Sequence, residues 1–277
     1  VELMIRYGAN PSLVTEHGEK ALESLGMAGN PVNDALHTIL GSNDRMLMAA
    51  KVSDWDAVEE ELKIGAFINM KDSNKFTCLM WAARNQAVEA VQMLVSKNAL
   101  LDERDIFGWA AVHYAVESHD LETVSMLWYL GADFSLRTSE DDSLMHIAVR
   151  GDDGPMIQLL LSANLQLEDP NVESHTPLMI ATANSLTQSI HTLVAYKASL
   201  AATDSHKRTP FLLAVARGQI KAITAMLDPK MPPQVRRGAD CSSVASKTKT
   251  GRAATKSGSS RAQTPAKKVA STPAAEA

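Results

Sequence analysis

The chain has 277 residues, of which 45% are apolar, and this is enough material for a sizeable buried core. Its two cysteines, Cys78 and Cys241, are too few for a disulfide framework, so we expect the cytoplasm, or alternatively the nucleus, as its location. No apolar run approaches the ~18 residues that span a bilayer, and the first residues lack the pattern of a signal peptide, so we expect no membrane insertion.

Residues 1–43 form an irregular beginning. The segment KALESLGMAG starts at Lys20, only 24 residues before Asp44 and nine short of the 33-residue spacing found in the rest of the chain. The missing residues correspond to an extended turn. We therefore expect a helix pair without its hairpin in this part of the chain.

A repeat of 33 residues follows. Six segments share an alanine in the same place and start at Met46, Leu79, Val112, Met145, Leu178 and Phe211. A fixed period of this length indicates a solenoid of stacked units. The recurring alanine lets the helices of neighbouring units approach closely, because a larger side chain would push them apart.

Each unit reads as helix, turn, helix and extended turn. In the unit that starts at Met145, Pro155 suits the first turn of the second helix, and Leu159, Leu160 and Leu161 form an apolar stripe on that helix. The extended part ends in a tight turn marked by residues that hydrogen-bond their own backbone. These turn residues are Asp72, Asp105, Asn171 and Asp204.

The pattern resembles the ankyrin repeat over about residues 1–228. The residues that carry the resemblance are Thr176-Pro177-Leu178, Thr209-Pro210, His113, His146, Gly65-Ala66, Gly131-Ala132-Asp133 and Gly8-Ala9-Asn10. The resemblance implies an all-α solenoid of stacked helix pairs with short β-hairpins. It divides the chain into partial and irregular repeats at 1–43 and six repeats at 44–228, of which the last is a cap. Since Gly8-Ala9-Asn10 closes a repeat whose helices are absent, we expect the chain to be a fragment.

Residues 229–277 form a basic tail. They contain ten Lys and Arg against Asp240 and Glu276, and they have no aromatic residue. Such a segment cannot bury enough apolar surface to fold, so we predict a disordered tail. The tail could serve as a nuclear-import signal, as a contact or only for solubility. The basic residues form no dense cluster, so nucleic-acid binding is not the favoured interpretation.

The sequence offers no catalytic chemistry. The histidines lack the spacing of a metal site, and no nucleophile or phosphate-binding motif occurs, so we predict no enzyme activity, no metal, no cofactor and no small-molecule substrate. His113 and His146 occupy the histidine position of the repeat. The resemblance implies that their rings hydrogen-bond the neighbouring turn.

One turn carries aromatic residues that indicate a binding surface. The tip DERDIFGWA at 102–110 carries Ile106, Phe107 and Trp109 where the family has charged or small residues, and Phe76 lies at the preceding tip. Exposed aromatic residues in a row are typical anchors of interfaces. The alternative is that these side chains fold onto neighbouring hairpins. We interpret Trp81, Tyr114 and Trp128 as core residues instead.

Acidic residues flank this apolar centre and complete the predicted partner site. They are Glu103, Asp105, Asp141 and Asp142. An acidic rim favours a basic partner segment with apolar anchors. The sequence thus predicts a monomeric, non-catalytic protein-interaction scaffold that binds a partner on its concave face. The alternative is a regulatory or targeting array of an enzyme or channel whose other part precedes Val1.

Overall fold

The computed structural model describes residues 31–227, with side chains from residue 41 onward. Twelve helices lie in this part of the chain. They are α1 (Pro31–Lys51), α2 (Trp55–Ile64), α3 (Cys78–Arg84), α4 (Val88–Ser96), α5 (Ala111–Glu117), α6 (Leu121–Tyr129), α7 (Leu144–Arg150), α8 (Gly154–Ser162), α9 (Pro177–Ala183), α10 (Thr187–Ala195), α11 (Pro210–Ala216) and α12 (Ile220–Leu227). The helices form two layers, because first helices of neighbouring units contact one another and second helices do the same. The predicted all-α solenoid is confirmed.

The helix α1 extends over residues that form an extended turn in the later units. It runs unbroken over 21 residues and carries directly into MLMAAK, the first segment of the 33-residue register. The chain therefore enters the register through one continuous helix, and no hairpin interrupts residues 31–51. The predicted irregular repeat before residue 31 and the basic tail from residue 229 lie outside the described residues.

The alanine column explains the close packing of the first helices. Ala82, Ala115, Ala148 and Ala181 are fully buried. A methyl group at this place leaves neighbouring helix axes free to approach, and the larger apolar side chains on either side fill the remaining space. The burial of these four residues agrees with the role predicted for the alanines, whereas Ala49, the first of the column, is half-buried.

The turn that opens each first helix from α3 to α11 is held by a side chain. Thr176 accepts a hydrogen bond from the backbone N–H of Met179 at 3.4 Å, as an N-cap does. In the third unit, the N–H of Ala110 donates to Nδ1 of His113 at 3.0 Å, and Nε2 of His113 lies 3.3 Å from the carbonyl oxygen of Leu136. His146 makes the same link to the carbonyl oxygen of His175. The predicted structural role of these two histidines is confirmed.

The extended segments end in turns rather than in β-hairpins. The N–H of Asp105 donates to the carbonyl oxygen of Trp109 at 3.0 Å, which closes the turn, but residues 31–227 contain no strand. Neighbouring tips are joined by single backbone hydrogen bonds, such as that from Ser139 N–H to the oxygen of Phe107 at 2.9 Å. The first three pairs of neighbouring tips each have one such bond, which fixes their order along the edge but is too little for a sheet.

Candidate protein-binding groove

A groove of about 330 Å³ lies between the turn tips and the first helices of the second, third and fourth units. Its lining includes Arg84, Phe107, Trp109, Glu117, Glu140 and Arg150. The tips supply Phe107, Trp109 and Glu140, whereas Arg84, Glu117 and Arg150 are the last residues of α3, α5 and α7. The 33-residue register therefore brings residues from three units onto one surface.

The tip that carries Phe107 is fixed by Asp105. Oδ1 of Asp105 accepts from the N–H of Phe107 at 2.9 Å and from the N–H of Trp109 at 2.8 Å. Oδ2 accepts from the hydroxyl of Tyr114 at 2.5 Å. Asp105 is buried, so its carboxylate is a structural part of the turn. The prediction that Asp105 forms part of an acidic rim is wrong, because its oxygens are used inside the protein.

The residues at the apex of this tip are open to solvent. Phe107 is 57% exposed and Ile106 is 49% exposed. Trp109 is half-buried, and its ring lies 5.0 Å from the Tyr114 ring and 5.9 Å from the His113 ring, centroid to centroid. Trp109 therefore forms the floor of the groove, and Phe107 stands at its edge.

Phe76 lies inside the protein. Only 7% of it is exposed, and its ring packs 4.8 Å from Trp81 and 4.9 Å from Tyr114. The expectation of an exposed Phe76 is wrong, because its side chain lies at the base of the turn and faces the helices. Tyr114 is buried as predicted, whereas Trp81 and Trp128 are only half-buried. The guanidinium of Arg84 lies over the Trp81 ring at 5.7 Å.

The predicted acidic rim is much smaller than the sequence suggests. Asp142 is buried, pairs with Nη2 of Arg150 at 2.6 Å and accepts from Nδ2 of Asn171 at 3.0 Å. Glu103 forms an ion pair with Lys71. Asp141 is exposed, with Arg137 at 3.5 Å. Asp142 is thus a structural carboxylate, and Glu103 and Asp141 already have cationic neighbours.

Sequence reasoning missed the charged residues that do face the groove. Glu117 and Glu140 are exposed and have no ion-pair partner among residues 41–227. Arg84, Glu117 and Arg150 lie 33 residues apart at the ends of successive first helices. That spacing was visible in the sequence and could have placed all three on one face.

Burial shifts the pKa values of two side chains near the groove, His113 and Tyr114. Burial lowers the pKa of His113 to about 4, so its ring is neutral near pH 7 and keeps one nitrogen as an acceptor. Burial and the hydrogen bond to Asp105 raise the pKa of the Tyr114 hydroxyl. Both groups keep the tip in place, and neither lies where a proton transfer to a ligand would need it.

No three His, Cys, Asp or Glu side chains come together as a metal site within the described part of the chain. No helix between residues 31 and 227 has both the length and the apolar character that a bilayer crossing requires.

Comparisons with known proteins agree with this architecture. A family model described as ankyrin repeats (3 copies) matches residues 46–138 and 144–237, which is more than half of the chain. No curated protein matches the sequence significantly. A similar fold occurs in the solved structure of the predatory endopeptidase Bd0816 from Bdellovibrio bacteriovorus in complex with immunity protein Bd3460. The match has a TM-score of 0.61 and 22% identity, and it covers 67% of this chain and 98% of that chain.

Proposed function

Because the chain belongs to the ankyrin-repeat family, we propose that it is a non-catalytic scaffold that binds another protein in the groove beside Phe107. The ankyrin-repeat fold is typically non-catalytic and suits protein binding, since each unit contacts only its neighbours and leaves one long surface free. The observation that carries the proposal is the exposed ring of Phe107, held at a fixed place by the bonds of Asp105. A rigid aromatic residue loses little entropy when a partner covers it.

The charges of the groove define the partner further. Glu117 and Glu140 are open carboxylates, whereas Arg150 is neutralised by Asp142. Arg84 adds a positive charge to the lining of the groove, so a long run of basic residues would meet repulsion. The partner that fits is a segment with one apolar anchor and a single basic residue beside it. The anchor would lie between Phe107 and Trp109.

The test is capture of partners from a cell extract by the full chain, followed by calorimetric titration of the purified partner. Replacing Phe107→Ala should weaken binding by at least tenfold, because an anchor residue typically contributes about 1–2 kcal/mol or more. The melting temperature should change little, since the ring is mostly in solvent.

Phe211→Ala is the matched control. It removes the same side chain at similar exposure, 42% against 57%, but on the last unit and away from the groove. It should leave the affinity unchanged. Equal losses in the two variants, or no loss in Phe107→Ala, would show that the partner binds elsewhere.

A further inference from the structure

The C-terminal end of the described solenoid exposes an apolar face on α11. Phe211, Leu212 and Val215 are 42%, 50% and 51% exposed. The residues at the same places in the four preceding units are at most 1% exposed, for example Leu178, Met179 and Thr182. In those units the first helix of the next unit covers the face, as α11 itself covers α9.

This face differs from what a terminal unit needs. Terminal units of repeat proteins carry a polar outer face that keeps the array soluble. The prediction of a cap at this unit therefore does not fit its surface, which keeps the apolar residues of an internal unit. Ile223 on α12 is also only half-buried, whereas Ile190 and Ile157, its equivalents, are completely buried. Contiguous apolar surface of this kind marks an interaction site.

The charges around the face indicate what covers it. Residues 205–227 contain Lys207, Arg208, Arg217 and Lys221 but no Asp or Glu. Arg208 pairs with Asp204 at 2.8 Å, and Nη1 of Arg217 donates to the carbonyl oxygen of Ala183 in the preceding unit at 3.1 Å. Lys207 and Lys221 have no carboxylate partner within residues 41–227. A complementary surface must therefore combine apolar residues with acidic ones.

Two occupants from the chain itself carry the wrong charge. The residues that follow α12 start with Asp228, but residues 228–277 hold ten Lys and Arg against only Asp228, Asp240 and Glu276, so their net charge has the same sign as the rim. A second copy that docks face to face would bring its own Lys207 and Lys221 against those of the first copy. Like charges at an interface oppose both arrangements.

We propose that this end face binds an acidic amphipathic helix of another protein, which takes the place of the first helix of a following unit. The contacts between internal units show how such a helix would pack. At each of them a seven-residue helix packs its apolar side on this face and includes a fully buried alanine, such as Ala214. The partner helix needs leucine and alanine on one side and Glu or Asp on the flanks. This surface is separate from the groove at Phe107 and does not depend on it.

The probe is a synthetic helix of about 18 residues with leucine and alanine at positions i, i+3, i+4 and i+7 and glutamate elsewhere. Its binding to the full chain is measured by fluorescence anisotropy of a labelled peptide. The same peptide with lysine in place of glutamate is the matched control and should bind at least tenfold more weakly. The double variant Leu212→Asp, Val215→Asp should also lose at least tenfold, whereas Phe107→Ala should bind like the wild type.

Three results of these binding measurements would overturn the proposal. Equal binding of the glutamate and lysine peptides, or no saturable binding of the glutamate peptide up to about 1 mM, overturns the proposal. Binding that survives the double variant but disappears when residues 238–277 are deleted would be attraction to the basic tail, and it also overturns the proposal.

Two further measurements exclude the other occupants. Sedimentation equilibrium should show a monomer, and a dimer that the double variant dissociates would identify a second copy as the occupant. In a Cys241→Ser background, Val215→Cys should react with a maleimide at the same rate in the full chain and in residues 1–228. Slower reaction in the full chain would show that the chain's own C-terminal residues cover the face, contrary to the proposal.

Discussion

Replacing Asp105→Ala should destabilise the protein strongly, although the sequence suggests a surface charge. The change removes the acceptor of two backbone amides, at 2.9 and 2.8 Å, and of the Tyr114 hydroxyl at 2.5 Å. Hydrogen bonds to a charged group contribute about 1.5–3 kcal/mol each, but water can reach part of the emptied turn. We therefore expect the free energy of unfolding to fall by about 2–4 kcal/mol.

Asp105→Asn is the informative companion variant. Asn171 occupies the same place two units further in the register and accepts from the backbone amides of Glu173 and His175 at 3.1 and 3.0 Å, so an amide oxygen can close this turn. The Asn variant should therefore lose only about 1 kcal/mol, for the missing charge. Asp141→Asn, on an exposed side chain with a long ion pair, should change stability by less than about 0.5 kcal/mol.

Urea denaturation followed by circular dichroism measures all three variants. Combining Asp105→Asn with Tyr114→Phe gives a double-mutant cycle, and a coupling of at least about 0.5 kcal/mol is expected because the two side chains share a hydrogen bond. If Asp105→Ala unfolds at the wild-type midpoint and only slows partner association, Asp105 acts as a rim charge and the structural assignment is wrong.

Three further predictions concern positions that hold the solenoid together. Burial lowers the pKa of His113 to about 4 from an unfolded value of 6.5, so unfolding takes up a proton below pH 6.5 and stability should fall by about 1.4 kcal/mol per pH unit down to about pH 4. Urea midpoints from pH 7 to 4.5 check this, and His113→Gln should make the slope shallower. Lys197→Gly should raise stability by about 0.5 kcal/mol in thermal melts. The φ of Lys197 is +67°, which glycine adopts without strain, and this gain exceeds the loss from the greater entropy of glycine in the unfolded chain. Gly108→Ala should cost about 1–3 kcal/mol, because its Cβ would lie 2.9 Å from the Ser139 nitrogen at φ +75°. Gly218→Ala is the control, since its φ of +64° is similar and nothing lies within 4 Å of the added Cβ; it should cost less, and equal losses would contradict the steric argument.

The architecture follows from the sequence because the repeat encodes it many times. The alanine column, the proline or threonine at helix starts and the turn residues recur at one spacing, so an irregular residue in one unit is outweighed by the others. Asn98, Asn164 and Lys197 replace a glycine and still adopt positive φ, at 68°, 68° and 67°. The packing of the neighbouring units imposes the conformation at a local cost.

The candidate site was harder to predict because neighbouring residues in a tight turn face opposite ways. Phe107 at the apex points to solvent, whereas Phe76 and Trp109, at the base of their turns, point toward the helices. Asp105 and Asp141 are both aspartates of turn tips, yet Asp105 closes its turn, whereas Asp141 is exposed at positive φ. Which side chain is free depends on its position in the turn, and hydrophobicity alone does not reveal it.

The repeat also separates residues that the fold requires from residues that it merely tolerates. The position of Phe107 is held by Asn74, Glu140, Glu173 and His206 in the other units, and all four are polar. The turn forms with each of them, so folding does not require an aromatic ring there. At the position of Phe211 the other units carry leucine, valine or methionine, and folding does require an apolar residue there, provided that something covers it. Phe107 is therefore surplus to the fold, which points to binding in the groove, whereas Phe211 is an ordinary core residue without its cover, which points to a partner at the end face.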